Sequence, residues 1–176
     1  MSHTDKLRRW AKVLKMVSLA AMLVLAAALA YGLFFGRVPQ ELLDLAGITD
    51  PDVISNTRRA AIAAVGILPA LGMFYVLSQM AALFARYSEG ELLSEACANH
   101  ILRIGVALLA IIALDVVAGA LQGVIASAVN APGSRVLAIT FQGMDLGQFL
   151  AGGLLLTIGW TLREAARIAE ENRAFV

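Results

Sequence analysis

Residues 101–127 read ILRIGVALLAIIALDVVAGALQGVIAS, and this stretch decides the fold class. Its only charges are Arg103 near the start and Asp115 inside. A hydrocarbon core of about 30 Å takes roughly 20 residues of helix at about 1.5 Å each. Strands of a membrane barrel alternate polar and apolar residues over about ten positions, which this stretch does not do. Backbone groups in lipid must bond within their own segment, so the stretch reads as a membrane-crossing helix. Three more stretches read the same way. Residues 13–35 carry no charge beyond Lys15 near their start, 60–84 are interrupted only by Pro69 and weakly polar residues, and 146–162 lie at the short end of spanning length.

The whole composition agrees. Of 176 residues, 60% are hydrophobic and 15% charged, with a mean hydropathy of +0.78. Soluble domains average about 45–50% apolar and about 25% charged residues. A disordered chain needs low hydrophobicity and high net charge, and neither holds here. The net charge is +1 with no long basic run, which argues against a nucleic-acid binder. Cys97 is the single cysteine, so an intrachain disulfide and a multi-cysteine metal site are both ruled out. No His-Glu-x-x-His pair, phosphate-cradling glycine loop or Gly-x-Ser-x-Gly elbow occurs, and His3 and His100 are the only histidines. The expectation is a protein without cofactor and without enzymatic activity.

Orientation follows from the basic residues. With both termini in the cytoplasm, ten of the fourteen Lys and Arg fall inside and four outside. The inner set comprises Lys6, Arg8, Arg9, Lys12, Lys15, Arg86, Arg103, Arg163, Arg167 and Arg173. The basic start followed by Ala28-Leu29-Ala30 also resembles a cleavable signal peptide. Its apolar run, however, continues through Tyr31-Gly32-Leu33-Phe34-Phe35, which favours a retained helix. Trp10 and Trp160 fall near the inner ends of the first and fourth spans, where aromatic belts belong.

In the first link, Pro39-Gln40-Glu41-Leu42-Leu43 starts a short helix and Asp50-Pro51-Asp52 is turn chemistry. Leu42, Leu43, Leu45 and Ile48 are expected against the membrane interface, with Glu41, Asp44, Asp50 and Asp52 facing water. The acids lack the ligand spacing and central glycine of a calcium loop. In the second link, Gly90 is placed to end a helix and Ser94 to cap the next. The third link holds the turn cluster Asn130-Ala131-Pro132-Gly133-Ser134 and an extended candidate at 135–142. The tail continues the fourth helix to about residue 173, with Arg167 and Glu171 spaced for an ion pair and a weak apolar stripe including Ile168.

Asp115 stands out because an acid near the bilayer centre costs about 2.5–3.5 kcal/mol on insertion scales. No Lys, Arg or His lies at similar depth in another span. Tyr75, Ser78 and Thr157 are its candidate hydrogen-bond partners. Gly119, Gln122 and Gly123 fall on the same helical side, and Gly119 and Gly123 form a small-xxx-small pair that lets a second helix approach. Two readings stand: bundle-facing polar contacts at Asp115 and Gln122, or a proton or cation relay. The first is favoured, because transporters show more intramembrane polar groups and broken helices.

The second half resembles a known family. Phe84-Ala85-Arg86-Tyr87-Ser88-Glu89-Gly90-Glu91, then Asn99-His100-Ile101-Leu102-Arg103-Ile104-Gly105, resembles the middle link of the bacterial domain-of-unknown-function 2975 family. So does the ending from Asp145-Leu146 through Arg163-Glu164-Ala165-Ala166 to Glu170-Glu171-Asn172. The resemblance implies a small four-span inner-membrane protein without an established biochemical activity. Some such proteins are encoded beside small helix-turn-helix regulators, which implies a sensing or tethering role. No catalytic residues carry over.

The expectation is therefore an all-α, polytopic membrane four-helix bundle forming one domain over residues 1–176, in the bacterial cytoplasmic membrane. Its cytoplasmic link and tail, through Glu91 and Arg167, would contact a cytoplasmic protein. The alternative is a small proton-linked transporter or channel component using Asp115, assembled as a homo-oligomer through Gly119 and Gly123.

Overall fold

The computed structural model describes residues 3–35, 38–92, 94–130 and 143–174, and every regular element among them is helical. The extended candidate at 135–142 lies outside the described residues. Four long helices form: α1 (His3–Phe35), α3 (Asn56–Glu89), α4 (Glu95–Ser127) and α5 (Gly143–Ala174). The short helix α2 (Gln40–Leu45) and a 3₁₀ turn (Pro51–Val53) occupy the first link. Three helices are long and apolar enough to cross a membrane: α1 over Lys6–Phe35, α3 and α4. With 32 residues α5 is long enough, but it is less apolar and does not join them.

Each long helix extends beyond the stretch expected from hydropathy alone. Charged and polar residues such as Arg58, Arg59, Arg86 and Glu95 continue the backbone hydrogen bonding past the apolar run. α3 runs unbroken through Pro69. It stops at Gly90, whose φ of 94° suits glycine. There Gly90 N–H donates to Tyr87 O at 3.1 Å and Glu91 N–H to Arg86 O at 3.1 Å, the paired bonds of a Schellman ending. Ser94 then caps α4, its Oγ accepting from Cys97 N–H at 3.2 Å. The α3–α4 turn is thus set by local chemistry at both ends.

The long helices lie in an open row. α1 packs on α3, α3 on α4 and α4 on α5, while α1 and α5, at the two ends, make no comparable contact. Among the described residues the four long helices thus pack as a chain of neighbouring pairs. Surrounding lipid tails are as apolar as leucine, so apolar surface alone does not draw the end helices together. Residues such as Leu23, Phe34, Phe149 and Leu154 accordingly remain exposed on α1 and α5.

Close approach in the row depends on glycines. A Cβ at Gly105 would lie 2.7 Å from Leu156 N, and one at Gly159 would lie 2.9 Å from Leu102 N. Backbone meets backbone there, and α4 and α5 share their tightest seam. Between α3 and α4, Gly72 accommodates Ile111, and Val76, Leu83, Ile101, Ile104 and Ala107 fill the main core.

A second apolar cluster closes the opposite end. Leu43, Ala46, Ile48 and Ile54 of the first link bury against Ile62 and Ala126. Leu43 and Ile48 were expected at the membrane interface and instead form a core, because α2 folds back over the ends of α3 and α4. Arg59 fastens this cap. Its guanidinium donates to Ile54 O at 3.1 Å, Pro51 O at 2.7 Å and the Asp52 carboxylate at 3.0 Å. Asn130 Nδ2 donates to Ala46 O at 2.8 Å from the other side.

Candidate functional site

The residues singled out by sequence fall into two separate places. The first is α4 beyond its midpoint. Asp115 is exposed, and among the described residues it has no hydrogen-bond partner. It lies between the line where α4 meets α3, marked by Ile111 against Gly72, and the line where it meets α5, marked by Gln148 Nε2 donating to Leu108 O at 3.1 Å. Two of its three expected partners, Ser78 and Thr157, are committed elsewhere. Ser78 Oγ donates to Tyr75 O at 2.6 Å, and Thr157 Oγ1 to Gly153 O at 2.9 Å.

Gln122 is different. Its amide donates across the helix pair to Ile62 O at 2.9 Å. Gly66 makes this reach feasible, since a Cβ there would stand 3.0 Å from Gln122 Nε2. Gln122 therefore joins α4 to α3, while Asp115 joins α4 to no described residue. The glycine pair also divides. Gly123 is buried, and its carbonyl accepts from Ser127 Oγ at 2.7 Å. Gly119 has nothing within 4 Å of where a Cβ would lie. The seams inside the chain use Gly72, Gly105, Gly152 and Gly159 instead, a role the sequence reading did not assign to them. The seven-residue spacing of Gly152 and Gly159 on α5 was the available sign.

The second place is the end of the row formed by the α3–α4 link, the start of α4 and the charged end of α5. Glu91 bridges to Arg86 at 2.9 Å. Its carboxyl is held below the ordinary glutamate range, first by a hydrogen bond from Ser94 and then by Arg86. Cys97 is buried, and its thiol donates to Glu91 O at 3.2 Å. Glu95 of α4 pairs with Arg163 of α5 at 3.2 Å, tying the helices where α4 begins. Arg167 pairs along its own helix with Glu164, and with Glu171 at 3.6 Å. These carboxylates raise the Arg167 guanidinium further, and Arg167 holds Glu164 below its usual range.

Between link and tail lies a notch of about 170 Å³, walled by Leu92, Cys97 and Ala98 on one side and Leu162, Ala166 and Ala169 on the other. Glu91 and Arg167 neighbour it in sequence on opposite walls and do not pair with each other. A further interhelical polar contact, like those of Gln148 and Arg163, went unforeseen: His100 Nδ1 and Gln79 Oε1 meet at 2.8 Å between α4 and α3. No group of three or more metal-ligating side chains occurs among the described residues.

The described residues define an all-helical class of chain in which three helices are long and apolar enough to cross a bilayer. Within it, the chain belongs to the family described as Protein of unknown function (DUF2975), whose model matches residues 37–176. No curated relative and no solved structure matches the chain.

Proposed function

We propose that the chain is a non-enzymatic membrane module whose inner end contacts a cytoplasmic protein, such as a regulator. In this reading α1, α3, α4 and α5 all cross the bacterial cytoplasmic membrane, and both termini lie in the cytoplasm. The supporting observation is the notch between link and tail. It is a small apolar recess, and the same link and tail carry the ion-paired charges Glu91, Glu95, Arg163 and Arg167. Such a recess suits one apolar side chain of a partner, and the charges of link and tail supply orientation. The exposed Ile168 on the α5 end adds apolar contact.

The test places a photo-crosslinker at Glu91 or Arg167 in living cells. One defined cytosolic species should be captured from both positions and lost when Ala166→Trp fills the notch. Absence of a cytosolic product, or a product indifferent to Ala166→Trp, overturns the reading. Orientation is tested separately by reporter fusions at each terminus, both of which should report from the cytoplasm.

The second reading is a proton-linked carrier that uses Asp115. Its support is the exposure of that carboxylic acid on α4, together with Asp145 of α5 within electrostatic range. An activity of that kind must fall with Asp115→Asn, and an unchanged transport phenotype removes this reading.

A further inference from the structure

A cavity of about 440 Å³ runs along the groove between α3 and α4. It is distinct from the notch. Asn99, Arg103, Val106, Ala110 and Leu114 supply its α4 wall, and Gly72 and Tyr75 its α3 wall. The α4 residues recur every three or four positions and so share one face of the helix. Asn99 and Arg103 occupy the end nearest the charged link, and beyond them the α4 wall is wholly apolar. From Asn99 to Leu114 the groove follows α4 for about 22 Å at about 1.5 Å per residue. A hydrocarbon core of about 30 Å gives each leaflet about half that thickness, so the groove is long enough for one acyl chain. Tyr75 and Val106 are exposed, so the groove is open along the side of the row.

The polar end is uncommitted. Arg86, Arg163 and Arg167 at the same end of the row are each engaged by a carboxylate. Arg103 is exposed and makes no ion pair with any described residue, and the Asn99 amide has no described hydrogen-bond partner. A guanidinium and an amide one helical turn apart, above an apolar channel, match a phosphate ester joined to a hydrocarbon chain. Tyr75 brings the only hydroxyl among the lining residues. A zwitterionic lipid would supply the same chain, but its own cation would offset the attraction of Arg103.

We propose that this groove binds one anionic phospholipid, its phosphate on Arg103 and Asn99 and an acyl chain against Val106, Ala110 and Leu114. The site requires the chain to lie in a bilayer and does not depend on a cytoplasmic partner.

The test uses the full-length chain in nanodiscs holding equal phosphatidylglycerol and phosphatidylcholine. The protein is then released into detergent, and retained lipid is counted by native mass spectrometry. The wild type should retain one phosphatidylglycerol in preference to phosphatidylcholine. Arg103→Gln should lower that preference about fivefold, the effect of about 1 kcal/mol for one basic residue at an anionic surface. Arg103→Lys should keep most of the preference. Ala110→Trp, which fills the channel and leaves the charge, should reduce retention of both lipids. It carries the test should Arg103→Gln fail to fold. Equal retention of the two lipids by the wild type, or retention unchanged in Ala110→Trp, overturns the site. So does a second copy of the chain held in place of lipid. Solubility without detergent would overturn the membrane reading itself, which keeps the two failures distinct.

Discussion

The Gln122 side chain on α4 donates to the main-chain carbonyl of Ile62 on α3 at 2.9 Å, over the gap left by Gly66. A polar residue deep in an apolar helix thereby becomes a fastening between neighbours. Gln122→Leu should loosen the α3–α4 pair by about 0.6 kcal/mol, and by less than about 2 kcal/mol, the range measured for hydrogen bonds between membrane helices. Reversible unfolding in mixed micelles reads this directly. A loss above that range would mean that Gln122 does more than bond Ile62.

Asp115 should behave in the opposite way. It has no described hydrogen-bond partner, so Asp115→Leu removes no fastening between helices. Leucine at this depth also inserts more readily than an acid, by about 3 kcal/mol on insertion scales. The expected result is a folded variant that inserts at least as efficiently as the parent, measured by a glycosylation-reporter insertion assay. Disrupted assembly would show that a second chain or another segment covers the carboxyl group.

The glycines separate just as sharply. A methyl group at Gly105 meets the α5 backbone at 2.7 Å, where no flexible side chain is available to move. Gly105→Ala should therefore destabilise by about 1–3 kcal/mol, as overpacked cores do. Gly119→Ala, with open space around it, should lie within about 0.5 kcal/mol of the parent or gain slightly from helix propensity. Parallel unfolding curves of the two variants decide this.

The α3–α4 link should respond to acid. The Glu91 carboxyl titrates below an ordinary glutamate in the folded chain because Ser94 and Arg86 favour its charged form. Its contribution is therefore present above the ordinary glutamate range and is lost as pH falls through the lowered folded-state value. Amide hydrogen exchange at Gly90 and Glu91, corrected for intrinsic rates, should quicken on acidification below that range. In Glu91→Gln the acid-dependent part should vanish. An identical acid response in that variant would assign it to another group.

Capping gives a sharper local test. Ser94→Ala removes the acceptor for Cys97 N–H and should cost about 1 kcal/mol. Ser94→Asn should recover it, because asparagine also caps and places no second negative charge beside Glu91. Thermal unfolding of the three forms provides the comparison.

Much of this architecture is legible in the sequence for identifiable reasons. In lipid the apolar run at 101–127 must satisfy its backbone groups within the segment, so the helix follows from composition. Gly90 and Ser94 act through bonds to residues only a few positions away, and the α3–α4 turn needed no knowledge of the rest of the chain. The cap over the far end was less visible. Leu43 and Ile48 read as interfacial because their partners, Ile62 and Ala126, lie far off in sequence. The role of Arg59 was hidden for a related reason, since two of its three bonds go to main-chain carbonyls that leave no mark in side-chain identity.

Sequence by itself determined the helical state of the chain and the local stops and starts between α3 and α4. These depend on backbone satisfaction and short-range hydrogen bonds. Only the tertiary structure decided which glycines form seams, that the long helices lie in an open row, and that Gln122 is engaged while Asp115 is not. Those outcomes depend on which helical faces meet, and the same apolar composition permits many pairings. Close backbone approach at Gly72, Gly105 and Gly159 selects one of them.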